Sequence, residues 1–144
     1  MDIGLEIKNL NNMIHRHFTN LKTTEILNKL TGSNGYIIVY LMEHQNELIT
    51  QKQIEEVLGI TRSTASIVLS HMEENQLITR KILEQDSRIK SIHIMPKGME
   101  LYETMTREKI EFEAKLLQGF TSFELDQFVE YIRRMKKNIK EELK

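Results

Sequence analysis

Apolar residues recur at steps of three and four along the first stretch of the chain. Ile7, Leu10, Ile14, Phe18 and Leu21 fall on one face of a helix. The steps continue less regularly to Leu30, and Thr31-Gly32-Ser33-Asn34-Gly35 then punctuates the pattern. Asn34-Gly35 alone would suggest a hairpin turn. Tyr36 to Glu43 does not alternate, however, and reads as a buried helix with Thr31 or Ser33 as its N-cap. Thr50-Gln51-Lys52-Gln53 matches a capping box, in which the Thr hydroxyl takes the third amide while Gln53 reaches back. Ile54, Val57 and Leu58 form a short stripe that Gly59 ends. Thr61 is a second N-cap, and the next helix runs from Arg62 to about Asn75. Two short helices joined by Gly59-Ile60-Thr61 make a helix-turn-helix.

The period then changes. Ile78 to Leu83 and Ser91 to Met95 are β-prone, and the polar run Glu84 to Lys90 between them is a hairpin tip. Pro96 suits the first turn of a helix. Met99, Tyr102, Met105, Ile110, Phe112, Leu116 and Leu117 continue it until Gly119. Thr121 to Glu124 is a second capping box, and Leu125, Phe128, Val129, Ile132, Met135 and Ile139 carry a last amphipathic helix. A helix-turn-helix followed at once by a β-hairpin is a winged helix. The expected fold is mainly α with a small β-hairpin. Residues 31–95 form the winged helix-turn-helix, flanked by a helix over 1–30 and helices over 96–144.

Composition narrows the function classes. The chain has 144 residues, 40% hydrophobic and 28% charged, enough apolar surface for a folded core in one domain or two small lobes. Cysteine is absent, which excludes disulfides, thiol sensing, Cys zinc sites and Cys nucleophiles, and fits a cytoplasmic protein. No apolar run reaches the roughly eighteen residues of a membrane span. The N-terminus, with Asp2 and Glu6 and no apolar core, does not read as a signal peptide. Net charge is −1, so any nucleic-acid role rests on where charges sit rather than on their sum.

On the helix from Arg62, Ala65, Val68, Leu69 and Met72 share one side. Ser63, Ile67, Ser70 and Glu74 share the other, with Arg62 and Ser66 at its edge. A face of small hydroxylated residues lets a helix lie close in the major groove. Ser and Thr can bond base edges or phosphates there, and Ile67 can touch a thymine methyl. Arg62, beside Thr61 and Thr64 at the N-terminal end, is placed for a guanine edge or a phosphate. A solvated face with one exposed Ile fits the same residues. The hairpin tip adds weight to the DNA reading. Asp86 stands two residues before Arg88 and can hold its guanidinium by a bidentate pair. A pre-oriented Arg loses less entropy on entering a narrow, electronegative minor groove. Lys90, Arg80 and Lys81 could add phosphate contacts. The competing reading is a solvated turn with a surface ion pair worth little.

These segments together resemble the MarR family of winged helix-turn-helix regulators. The resemblance rests on Leu48 to Ile54, Val57 to Ser66, Leu77-Ile78-Thr79-Arg80, the tip Asp86-Ser87-Arg88-Ile89-Lys90 and the pair Lys97-Gly98. It implies a homodimeric, cytoplasmic regulator of transcription. The helix from Thr61 would be the recognition helix, Arg88 the minor-groove residue of the wing, and the terminal helices the dimer interface. Repression is the mode the resemblance implies. Two positions depart from the family pattern. Gln76 stands where a helix-ending Gly is common, which shifts the left-handed turn or hands it to Asn75. Pro96 replaces a frequent Thr.

The apolar stripes of the first and last helices exceed what a small monomer covers, and pairing two chains would bury both. A dimer also sets two recognition helices about one DNA turn apart, roughly 34 Å, and so calls for a pseudo-palindromic operator. The resemblance further implies a small aromatic or phenolic anion as an effector that relieves DNA binding. His15, Arg16, His17, Tyr36 and Tyr40 are the candidates to hold it, and surface histidines with core tyrosines are the plainer account of the same residues. His15 and His17 point about 200° apart on a helix and cannot chelate together, so no metal or cofactor is expected. No phosphate loop, HExxH or nucleophile elbow is present, which argues against an enzyme. The alternative is a winged helix used for protein contact without DNA.

Overall fold

The computed structural model describes residues 1–143. Helices α1 (Ile3–Thr19), α2 (Lys22–Thr31), α3 (Tyr36–Glu43), α4 (Gln51–Leu58) and α5 (Arg62–Glu74) come first. Strands β1 (Ile78–Ile82) and β2 (Lys90–Ile94) follow, then α6 (Pro96–Leu116) and α7 (Ser122–Glu142). The chain is mainly helical with one antiparallel hairpin, as the periodicities predict. It divides into two compact units, Met1–Arg107 and the residues from Glu108 onward. Among the described residues, no helix is long and apolar enough to cross a membrane.

The core of the first unit is built where the two periods meet. Ile37, Ile38 and Leu41 of α3, Ile54 of α4, and Leu69 and Met72 of α5 close on Leu77, just before the hairpin, and on Ile78 and Ile92 within it. At about 25 cal/mol per Å2 of apolar area, each large side chain here contributes roughly 1.5–3 kcal/mol. Strand β1 pairs with β2 in the register Ile78↔Ile94 through Ile82↔Lys90. The segment before α4 lies along the free edge of β2, where Thr50 bridges Ser91 and the Ile92 amide donates to the Ile49 carbonyl at 2.8 Å. The hairpin is thereby tied to the start of the helix-turn-helix. Gly98, in the first turn of α6, has no room for a side chain, because a Cβ there would lie 2.5 Å from the Leu77 carbonyl oxygen.

Two expectations are corrected. The first helical pattern is broken at Asn20-Leu21 into α1 and α2. No Gly or Pro marks the break. Instead the Thr24 hydroxyl donates to the Phe18 carbonyl at 2.6 Å and the Leu21 amide donates to the same carbonyl at 3.3 Å, which stops α1 without a breaker residue. Neither Thr31 nor Ser33 caps α3. The Thr31 hydroxyl donates back to the Leu27 carbonyl within α2 at 2.7 Å. Gly32 and Ser33 take φ of 58° and 65°, and α3 starts after Gly35 with no side-chain cap.

The termini contrast with that core. Among the described residues, no side chain of α1 or α7 is fully buried. Ile3, Leu5, Ile7, Leu10 and Met13 are exposed on α1, and Phe128, Val129, Tyr131, Met135 and Ile139 on α7. Helix α7 is nonetheless well started. Thr121 and Glu124 exchange the two bonds of a capping box, and the Thr121 amide and hydroxyl hold the Glu124 carboxyl below its ordinary range.

Candidate nucleic-acid interface

Helix α5 is oriented by its own sequence. Ala65, Leu69 and Met72 are fully buried. The opposite face is therefore turned to solvent, with Arg62, Ser63, Ser66 and Ile67 exposed and Ile67 as much as 70% accessible. Gly59, at φ 62°, makes the tight turn out of α4. Thr61 caps α5 as expected. Its oxygen accepts from the Thr64 amide at 3.2 Å, and its hydroxyl donates to the Thr64 oxygen at 3.0 Å. The Thr64 hydroxyl thus sits at the helix N-terminus, where unpaired amides favour an anion.

The exit from α5 explains the missing glycine. Gln76 itself takes the left-handed conformation, at φ 62°, while Asn75 stays at φ −83°. The Leu77 amide donates to the Met72 carbonyl and the Gln76 amide to the Glu73 carbonyl, which is a Schellman ending. Asn75 is occupied otherwise, because its side-chain amide donates to the His71 carbonyl at 2.9 Å. The turn thus stays at the family position and does not pass to Asn75.

The wing presents one cation in a fixed pose. Arg88 Nε donates to Asp86 Oδ1 and its Nη2 to Oδ2, both at 3.0 Å, and the Arg88 amide also donates to Oδ1. These bonds pull the Asp86 carboxyl below its ordinary pKa, and the carboxylate in turn raises that of Arg88. The Arg88 side chain is 88% exposed, so the acid sets its direction without covering it. Lys81 and Lys90 are exposed on the same ribbon.

Arg80 sits differently from the sequence expectation of a phosphate contact. Its side chain is only 12% exposed. Its amide donates to Glu73 Oε2 at 2.8 Å, and its Nη2 donates to Glu73 Oε1 at 3.2 Å and to Ser70 Oγ at 2.9 Å. The guanidinium joins β1 to α5 and is turned away from solvent. Ser70 is partly buried by the same contact. Sequence reading missed Glu73 because its partner lies seven residues away across a turn, outside the helical spacings of three and four.

Of the effector candidates, His15, Arg16 and His17 are exposed on α1. Tyr36 and Tyr40 lie one turn apart on α3 with ring centroids 6.5 Å apart. The closer partner of Tyr40 is His44, stacked at 4.1 Å, a residue the sequence reading left unplaced although it stands at i+4. A cavity of about 190 Å3 opens beside α3, lined among others by Leu41, His44, Glu47, Ile92 and His93, and none of the five candidates lines it. Among the described residues, no group of three or more His, Cys, Asp or Glu is placed to hold a metal ion.

A helix-turn-helix core, a hairpin rooted in it and a clamped arginine at the tip make a winged helix. The MarR family's sequence profile matches residues 28–89, from the end of α2 through the helix-turn-helix to the tip of the wing. It is similar to the uncharacterized HTH-type transcriptional regulator YybA of Bacillus subtilis, with 25% identity over 138 residues, covering 96% of this chain and 86% of YybA. In structure it is similar to a single-substitution mutant of MepR from S. aureus, with a TM-score of 0.80, 24% identity and coverage of 96% of this chain and 99% of that one. It is also similar to S. aureus MepR in its complex with DNA, with a TM-score of 0.64, 24% identity and coverage of 96% and 98%. YybA and MepR are themselves described as transcriptional regulators.

Proposed function

We propose that this chain is a MarR-family regulator, a homodimer that binds a pseudo-palindromic double-stranded DNA operator and represses transcription. In this reading α5 enters the major groove and the wing enters the adjacent minor groove. The exposed residues Thr61, Arg62, Ser63, Thr64, Ser66 and Ile67 meet base edges and phosphates, with Ser70 at the margin. Arg88 enters the minor groove and Lys90 meets a phosphate. The single observation that carries this reading is the Asp86–Arg88 pair, which spends a bidentate interaction on orienting a side chain that stays 88% exposed. A surface pair of this kind adds little stability, so pre-orientation toward a partner is the better use of it.

The dimer is supported by the uncovered stripes on α1 and α7, which a second copy would bury. We divide the chain accordingly into a DNA-binding part over 31–95 and dimer-forming helices over 1–30 and 96–144. A small aromatic anion, held by Arg16 and stacked on Tyr36, is the proposed releasing ligand. It should change either the melting temperature or the operator affinity, and an aromatic acid that moves neither removes it.

Selection of bound duplexes from a random pool tests the central claim. Two half-sites about one helical turn apart are expected. Arg88→Glu should then weaken binding to the selected duplex by at least 100-fold while leaving the melting temperature unchanged, because the exposed tip carries little stability. Recovery of no enriched sequence, or an R88E variant that still binds, refutes the reading. Should R88E spare a protein contact while no duplex is selected, the winged helix serves protein recognition instead.

A further inference from the structure

The contact between Arg80 and Ser70 has a consequence for what α5 can recognise. The Arg80 guanidinium donates to Ser70 Oγ, and Glu73 holds that guanidinium from the other side while also accepting from the Arg80 amide. A cation at 2.9 Å fixes the hydroxyl dipole, because the hydroxyl hydrogen must turn away from the donor it accepts from. The remaining lone pair of Oγ lies beside a positive charge, which repels the approach of a second donor. A serine hydroxyl ordinarily offers both a donor and acceptors and so discriminates poorly between base edges.

We propose that Glu73, acting through Arg80, converts Ser70 into a one-way hydrogen-bond donor, and that Ser70 therefore recognises an acceptor on DNA and rejects a donor. Glu73 and Arg80 are positioning residues in this device. The acceptor is a base atom of the purine N7, guanine O6 or thymine O4 kind, or a phosphate oxygen. The exocyclic amines of adenine and cytosine are excluded as partners. The inference rests on the DNA-binding reading above. It also explains why a cation so near α5 is not exposed, since its work is done through the serine.

The test uses the full chain and four variants: Ser70→Ala, Arg80→Met, Arg80→Lys and the double variant S70A/R80M. Duplex selection with the wild type comes first, and a wild type that enriches no sequence overturns the regulator reading itself. Given an enriched operator, S70A should lose about five- to tenfold in affinity, the worth of one hydrogen bond. If the acceptor is a base atom, R80M should relax the preference at a single base pair of each half-site, because the freed hydroxyl then accepts as well as donates. R80K should restore that preference, since an ammonium can still donate to Ser70. If the acceptor is a phosphate, S70A should weaken all duplexes equally and R80M should follow it without any change of preference. In both cases the double variant should lose less than the product of the two single losses. The slope of affinity against salt should be unchanged in R80M, since Arg80 touches no phosphate. Strictly multiplicative losses, or an R80M slope reduced by about one, would overturn the proposal. R80M melting as one cooperative unit certifies the comparison. If it does not, the S70A and R80K selections decide alone, and an S70A operator affinity equal to wild type then sinks it.

Discussion

The helix-turn-helix with its wing and the terminal helices solve opposite problems with similar sequence patterns. Helices α3, α4 and α5 are short, yet each buries side chains against the others and against the hairpin. Helices α1 and α7 have 17 and 21 residues and pronounced amphipathic patterns, yet none of their described side chains is fully buried. Length and periodicity therefore do not measure how well a helix is packed. The short helices are satisfied within one chain because other elements surround each of them. The long ones display exposed apolar stripes, which the proposed second copy would cover. A uniform surface would have put polar residues at Phe128 and Ile139, so under the proposed dimer the contrast separates what folds from what associates.

That contrast can be broken from either side. The largest effect is expected inside the core. Leu69→Ala removes a fully buried side chain of α5 and should cost about 2–5 kcal/mol, read as a lower midpoint in denaturant unfolding. The reverse probe is Phe128→Asp, which places a charge on the α7 stripe. It should leave the first unit's helical signal intact but weaken self-association by about 2 kcal/mol or more, seen as a shift toward monomer mass in light scattering at micromolar concentration. A stable monomer in the unsubstituted chain would remove the comparison altogether.

A smaller effect sits at the exit of α5. Gln76 holds a left-handed backbone that costs a side-chain-bearing residue about 1–2 kcal/mol. Gln76→Gly should stabilise the chain by about 0.5–1 kcal/mol after the extra freedom glycine has when unfolded, visible as a raised melting temperature. The smallest effect is at the wing tip. Asp86 has a folded pKa below its ordinary 3.8, so its contribution is complete above that value and fades as pH falls through the depressed one. Because Asp86 stays ionised, operator affinity should not change through this group from neutrality down to about pH 4 and should fall only in stronger acid. Asp86→Asn should bring the loss to neutral pH.

Much of this was legible in the sequence for a simple reason. Wherever a side chain bonds to its own neighbourhood, spacing carries the information. The capping boxes at Thr50 and Thr121, the cap at Thr61 and the pair Asp86–Arg88 all span two or three residues, and each occurs as expected. The buried side of α5 followed from its period in the same way. What spacing could not carry was set by contacts across turns. The break at Asn20-Leu21 depends on Thr24 reaching back to Phe18. The turn at Gln76 is imposed by the Met72–Leu77 closure against a residue type that resists it. Arg80 reads as a free cation at the base of a strand until Glu73 and Ser70 are seen to enclose it. Tyr40 reads as a ring awaiting a ligand until His44 is found stacked on it.

The bare Cα of Gly98 has one more effect. The first turn of α6 rests directly on the Leu77 carbonyl, and the Met95 amide donates to that same oxygen at 2.9 Å. No methyl group cushions the seat, so the start of α6 and the root of the wing share a fulcrum. A side chain at position 98 would therefore have to push the helix start off the root of the wing.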